Sequence, residues 1–284
     1  MSFIIIGALL IGLTLGLMGS GGSILTVPVL VYLLGHDGKI AIAESLAIVG
    51  GIAFVTMFPY ARSHLVSWRT VLLFGVPGMI GTYFGAWLSH YIPGATQLML
   101  FAIVMLAAAV FMSRQRVAAA DGTESEEASE ASHAASAAWL VGVEGVAVGT
   151  MTGLVGVGGG FLIVPALMAF AKLPMRVAIG TSLTLIALQS CSGFFKYLDV
   201  LASAGASVDW QTVGTFIAIG VVGSFLGHHI AKGLNQQVLR RGFAVFLLLM
   251  GLFVLGKEGM KLVSAPAVRT ATVESSQLSL DERN

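Results

Sequence analysis

The chain reads as ten apolar segments separated by short polar breaks, at about residues 3–18, 23–35, 41–60, 70–89 and 96–113, then 138–155, 161–172, 177–197, 211–231 and 238–257. Three in each group of five run to roughly 17–20 residues, enough for a helix to cross a hydrocarbon core of about 30 Å. The second of each group is too short. It covers only the stretch from a glycine cluster to the polar break at His36-Asp37 or at Lys172, so it predicts a half-helix or one arm of a re-entrant hairpin.

The two groups are copies of one another. Setting Pro28 over Pro165, an offset of 137, aligns Gly16–Leu30 with Gly153–Leu167, and nine of the fifteen positions are identical. The register continues through Lys39/Arg176, Ala41/Ala178, Ser45/Ser182, Phe58/Phe195 and Tyr60/Tyr197. After a five-residue insertion in the second copy it resumes at Trp68/Trp210, Gly78/Gly220, Gly81/Gly223 and Gly85/Gly227. The organisation is therefore two homologous transmembrane repeats, 1–112 and 138–263, joined by a polar linker at 113–137 and followed by a polar tail at 264–284. The opening apolar run has no Lys or Arg before it and recurs in the second copy, so it is expected to be part of the fold rather than a cleaved leader.

Composition agrees with this pattern. Of 284 residues 56% are hydrophobic and only 10% charged, against roughly a quarter charged in soluble domains. Seven charges lie in the linker and eight in the stretch from Lys257 onward, which leaves the apolar segments almost uncharged. A net charge of +1 gives no footprint for nucleic acid. The single cysteine, Cys191, excludes an internal disulfide and a cysteine-based metal site, so no cofactor and no metal are expected.

Loop charges discriminate between threadings. With an odd number of crossings per half, Arg62, Arg69, Arg114, Arg116, Lys172, Arg176, Lys232, Arg240 and Arg241 collect on one side, and Lys39 and Lys196 on the other. An odd count makes the halves inverted, with both termini outside the cytoplasm. Trp68, Trp87, Trp139 and Trp210 fall near predicted span ends, as an aromatic belt requires. The fold class expected is an all-α polytopic membrane protein of two inverted halves with glycine-broken short helices in the bilayer.

The duplicated glycine clusters carry the chemistry. Gly19-Ser20-Gly21-Gly22 and Gly156-Val157-Gly158-Gly159-Gly160 each precede a short helix, starting near Ser23 and Phe161. A helix start holds unpaired N–H groups and the positive end of the dipole, which suits an anion. In inverted halves the two starts are expected to face one another near the midplane. Pro28 and Pro165 remove an amide donor each, freeing the carbonyls of Ile24 and Phe161.

Gly153–Leu167, its degenerate copy around Pro28 and the later Gly180-Thr181-Ser182 resemble the sulfite exporter TauE/SafE family of membrane permeases. The resemblance covers nearly the whole chain outside linker and tail, and it implies transport of sulfite, sulfonates or related sulfur anions. The first copy departs from the pattern with Ser20 and Ser23 near its glycines and Ala43-Glu44-Ser45 in place of Gly180-Thr181-Ser182, so the halves are expected to contribute unequally.

Candidate substrate contacts are thus Gly19, Ser20, Gly21, Gly22, Ser23 and Ser45 from the first copy and Gly156, Gly158, Gly159, Gly160, Thr181 and Ser182 from the second. Thr184 and Gln189 are further polar groups on the third segment of the second copy, for which hydrogen bonding between helices is the plainer reading. Lys39 and Lys196 join the candidates because the charge bias does not account for them. For Arg62, Arg69 and Arg176 that bias suffices, and His228-His229 read as an ordinary pair near a span end. Glu44 is a candidate proton-coupling group, and Glu144 has the same character. Gly81, Gly85, Gly223 and Gly227 read as helix-contact faces, within the fold or between subunits of a homo-oligomer.

The reading is a secondary transporter exporting a small sulfur-containing anion by alternating access across the bacterial inner membrane, its partners being that anion and the lipid bilayer. An anion channel shares these features. An intramembrane enzyme is disfavoured, since the spans hold no HExxH, no paired Asp, no clustered His and no convincing Ser-Lys dyad, and no phosphate loop is present.

Overall fold

The computed structural model describes residues 2–118, 130–155, 160–169, 171, 173–235, 237–239, 241–257 and 260. They form helices α1 (Ser2–Met18), α2 (Gly21–Pro28), α3 (Gly38–Arg62), α4 (Trp68–Leu88), α5 (Gly94–Ala118), α6 (Glu130–Val155), α7 (Gly160–Ala169), α8 (Met175–Ser203), α9 (Trp210–Gly233) and α10 (Gln237–Lys257). Among the described residues there is no strand. By length and composition α3, α4, α8, α9 and α10 are each able to cross a membrane. The protein is an all-α polytopic membrane protein.

Each apolar segment became one helix. Helices α5 and α6 also extend into the polar stretch, to Ala118 and from Glu130, while the tail at 264–284 lies outside the described residues. The five-residue insertion of the second copy mostly lengthens α8, which has 29 residues where α3 has 25. Beyond Pro28, which has no N–H for the carbonyl of Ile24, the chain makes one π-helical turn over Val29–Leu33, closed by Leu34 N–H donating to Val29 O at 3.3 Å.

The halves exchange helices. The first helix of each half packs most extensively on the fourth helix of the other, α1 on α9 and α6 on α4. Glycine makes this close approach possible. A methyl added at Gly12 would collide with Gly220 O and one at Gly16 with Ser224 O. In the other pair, added methyls at Gly149 and Gly153 would collide with Gly78 O and Thr82 O. Both registers advance together, so each pair is parallel. Gly81 and Gly85 face α6, and Gly223 and Gly227 face α1, which makes all four contact faces within the fold.

The third helices, α3 and α8, pack against each other in the opposite sense. Gly180 meets Leu65 and Tyr60, Gly50 meets Ser190, and Gly193 meets Leu46. This antiparallel register is centred on Gly51 and its counterpart Leu188.

Candidate functional site

At the first glycine break, α1 and α2 fold back on each other as a tight hairpin. Gly19 has φ +73° and its N–H closes on Leu15 O at 2.8 Å, the left-handed cap that ends many helices. Two constraints select glycine here. Besides the positive φ, an added methyl would lie 2.8 Å from Ser182 Oγ and 2.9 Å from Ile179 Cα. A methyl at Gly22 would collide with Ile11 O in the opposite arm, and one at Gly21 would lie 3.1 Å from Thr14 O.

Ser20 precedes α2 without capping it, and its buried Oγ has no hydrogen-bond partner among the described residues. Ser23 Oγ donates to Ser20 O at 2.6 Å. From the other half, Ser182 Oγ donates to Ile179 O at 2.8 Å and reaches Gly19 O at 3.3 Å. The structure thus brings Ser182 to the Gly19–Ser23 segment. In the second copy, Gly156, Gly158 and Gly159 lie outside the described residues, and Gly160 opens α7.

The first break lies away from the centre of the α3–α8 register. Its neighbours are Tyr60, whose hydroxyl donates to Gly16 O at 2.8 Å, and Ile179. Tyr60 is nine residues beyond the central Gly51, roughly 13 Å at 1.5 Å per residue. Whether the two helix starts meet depends on the second break, whose Gly156, Gly158 and Gly159 lie outside the described residues. The hairpin partner α1 is 17 residues long, so the turn is carried toward one end of the bundle.

The remaining candidates on the third helices act across the halves. Thr181 Oγ1 accepts Ser67 N–H at 3.0 Å, just before α4. At the counterpart position Glu44 is fully buried, and its Oε1 accepts Asp209 N–H at 3.0 Å, just before α9. Glu44 Oε2 also pairs with His36 Nδ1 at 2.6 Å. Ser45 Oγ donates to Ile42 O at 2.8 Å, as Ser182 does to Ile179. The motifs that differ in sequence therefore make the same cross-half latch. Glu144 is half-buried on α6, and its Oε1 has no partner among the described residues.

Beside the break is a cavity of about 40 Å³ lined by Tyr60, Leu65, Arg176, Ile179, His228, Ala231, Lys232 and Leu239. That exceeds the roughly 10–15 Å³ needed for one water. Ile179 is shared between cavity wall and break. The Arg176 guanidinium donates to Lys232 O at 3.1 Å and Leu234 O at 3.2 Å, satisfying carbonyls at the end of α9. Its buried Nε has no partner among the described residues, and neither ring nitrogen of buried His228 has one. The His228 ring meets Tyr60 edge to face at 4.3 Å between centroids. Among the described residues that line it none is acidic.

The opposite end repeats the scaffold with other chemistry. Lys39, the counterpart of Arg176, donates from Nζ to His90 O at 3.3 Å, and His90 is the counterpart of Lys232. Tyr197 replaces Tyr60 and lies close to Ser89 and Gln97, while Ala86 stands where the other end has His228. Lys196 pairs with Asp199 at 3.2 Å and lies 5.4 Å from the Tyr83 ring. Neither lysine approaches the first break. Tyr60 and His228 were not selected by sequence reasoning; the signal for His228 was a histidine where the other copy carries alanine.

A sequence model of the sulfite exporter TauE/SafE family matches residues 4–254. The chain belongs to that family. A probable membrane transporter protein of Xylella fastidiosa is 31% identical over 259 residues, covering 90% of this chain and 95% of its own. Another from Methanocaldococcus jannaschii is 27% identical, covering 89% and 94%, and one from Bacillus subtilis is 27% identical, covering 88% and 96%. No solved structure matches. The protein is a multi-pass membrane transporter, not an enzyme, and the TauE/SafE match agrees with the repeated glycine motif.

Proposed function

We propose that the protein is a secondary carrier that exports a small sulfur-containing oxyanion from a bacterial cytoplasm by alternating access. The observation that carries this reading is the cavity beside Gly19, where Arg176, Lys232, His228 and the Tyr60 hydroxyl converge without an acidic neighbour among the lining residues. Arg176 and His228 hold donor positions that no acceptor among the described residues uses. A buried group of this kind is stabilised by an incoming anion.

Arg62, Arg69, Arg176 and Lys232 share the cavity end, so the positive-inside rule orients that end to the cytoplasm. Export of an anion then runs with an inside-negative potential, worth about 2.3 kcal/mol per charge per 100 mV. Inverted halves are supported by the antiparallel α3 and α8, since a two-fold relating them lies across the helix axes. Glu44 is better read as a latch than as a proton carrier, because both its oxygens are engaged by His36 and Asp209.

The test is flux into and out of proteoliposomes with sulfite, thiosulfate and sulfoacetate. Saturable uptake with counterflow of one of these is expected. Unitary currents of channel size would replace the carrier with a pore, and no flux of any member of the panel would remove the substrate class.

A further inference from the structure

Gln189 lies one residue from the centre of the α3–α8 register. It is fully buried, and neither Oε1 nor Nε2 has a hydrogen-bond partner among the described residues. Its neighbour Ser190 is also buried, with an unpartnered Oγ. Such groups are expensive in a bilayer interior, and bonding between helices, the usual reason to keep them, is not made here.

The other copy of the repeat does without them. Their counterparts in the first copy are Ile52 and Ala53. The packing around the two positions is the same: a methyl at Gly78 would collide with Gln189 Nε2, and one at its counterpart Gly220 would collide with Ile52 Cδ1. One scaffold therefore holds an isoleucine on one side of the two-fold and an amide on the other. Ser190 faces Gly50, where an added methyl would lie 2.8 Å from Ser190 Cβ. Gly78 and Gly50 present no side chains, so a small separation of α4 or α3 from α8 opens onto these two polar groups.

We propose that Gln189 and Ser190 form a mid-membrane specificity station, where the carboxamide N–H groups and the hydroxyl bind oxygens of an oxyanion during its passage. The inference rests on the carrier reading above but on different residues. Neutral donors at this depth bind an oxyanion without fixing a permanent charge in the bilayer. They favour ligands with several acceptor oxygens over a halide.

The experiment uses the full chain in proteoliposomes, with Gln189→Ile, Gln189→Met and Ser190→Ala compared with the unaltered protein for sulfite, thiosulfate, sulfoacetate and chloride. Melting temperature in detergent is read in parallel. Removing an unpaired buried amide is expected to leave the melting temperature unchanged or higher. Oxyanion kcat/KM is expected to fall about ten-fold in both Gln189 variants, the equivalent of about 1.4 kcal/mol. Discrimination against chloride is expected to fall with it, and Ser190→Ala should have a smaller effect of the same sign. A stable Gln189→Met with unaltered kcat/KM and selectivity overturns the proposal. So does a loss of flux that tracks a lower melting temperature in both variants, which makes Gln189 a structural residue. Flux by the unaltered protein separates these outcomes from failure of the carrier reading.

Discussion

The two ends of the bundle are built from the same repeat and carry different side chains. At one, Arg176 caps α9, and Tyr60, His228 and Lys232 surround a cavity beside the Gly19 turn. At the other, Lys39 bonds the carbonyl of His90, while Ala86 takes the place of His228. The shared features are those a packed membrane fold needs: a basic side chain on the last carbonyls of a helix, a buried tyrosine and a latch from the third helix. Polarity differs where the copies diverge, because duplication maintains packing at equivalent positions but does not require equal polarity.

The largest expected effect is at Arg176. Replacing it with Met removes a cavity donor and the cap on α9, so substrate flux should drop about 100-fold, the worth of roughly 2.7 kcal/mol. Lys39→Met at the other end should change it less than about three-fold. Comparable losses at both ends would erase the contrast.

His228→Ala installs the residue found at position 86, and a half that folds with alanine there predicts little change in melting temperature. Oxyanion KM should rise about ten-fold, consistent with one charge-assisted hydrogen bond. An unchanged KM would place the binding groups elsewhere.

The latches should behave alike at both ends. Glu44→Ala and Thr181→Val each leave a backbone N–H, of Asp209 and Ser67, without its acceptor, at a cost of about 1–3 kcal/mol of stability. Denaturation followed at several detergent concentrations would measure this. A Glu44→Gln carrier should keep its pH profile; losing pH dependence while remaining stable would restore proton coupling to Glu44.

The smallest difference concerns helix starts. Asp209 caps α9 through Gln211 and Thr212, whereas Ser67 makes no side-chain cap to α4. Asp209→Ala should cost about 1 kcal/mol and Ser67→Ala less. The hydroxyl and amide of Thr212 hold the Asp209 carboxyl below the usual carboxylate range. Its stabilisation is thus complete above the ordinary carboxylate pKa and is lost as pH falls through the lowered value. Acid unfolding of the Asp209→Ala variant should accordingly show a weaker pH dependence over that window.

Helix positions were legible in the sequence because span length and apolar runs are local properties. The break at Gly19 was legible for the same reason, since neighbouring glycines and serines interrupt a run. Its position along the bundle was not, because that depends on how far α1 extends and on the α3–α8 register. Glu44 looked like an isolated carboxylate only because His36 and Asp209 reach it through a turn and from the other half.

The amino-acid sequence by itself determined the ten helices of the described residues, their duplication, the family and the places where side chains had to be omitted, since all of these follow from hydrophobic length and repeated residues along one dimension. Tertiary structure alone decided which polar groups share a wall. Tyr60, Arg176 and His228 come from three helices in two halves, and they meet because glycine faces let α1 and α9, and α4 and α6, interlock between the halves. That interlock is a matter of backbone-to-backbone distance between remote segments, which no local pattern encodes.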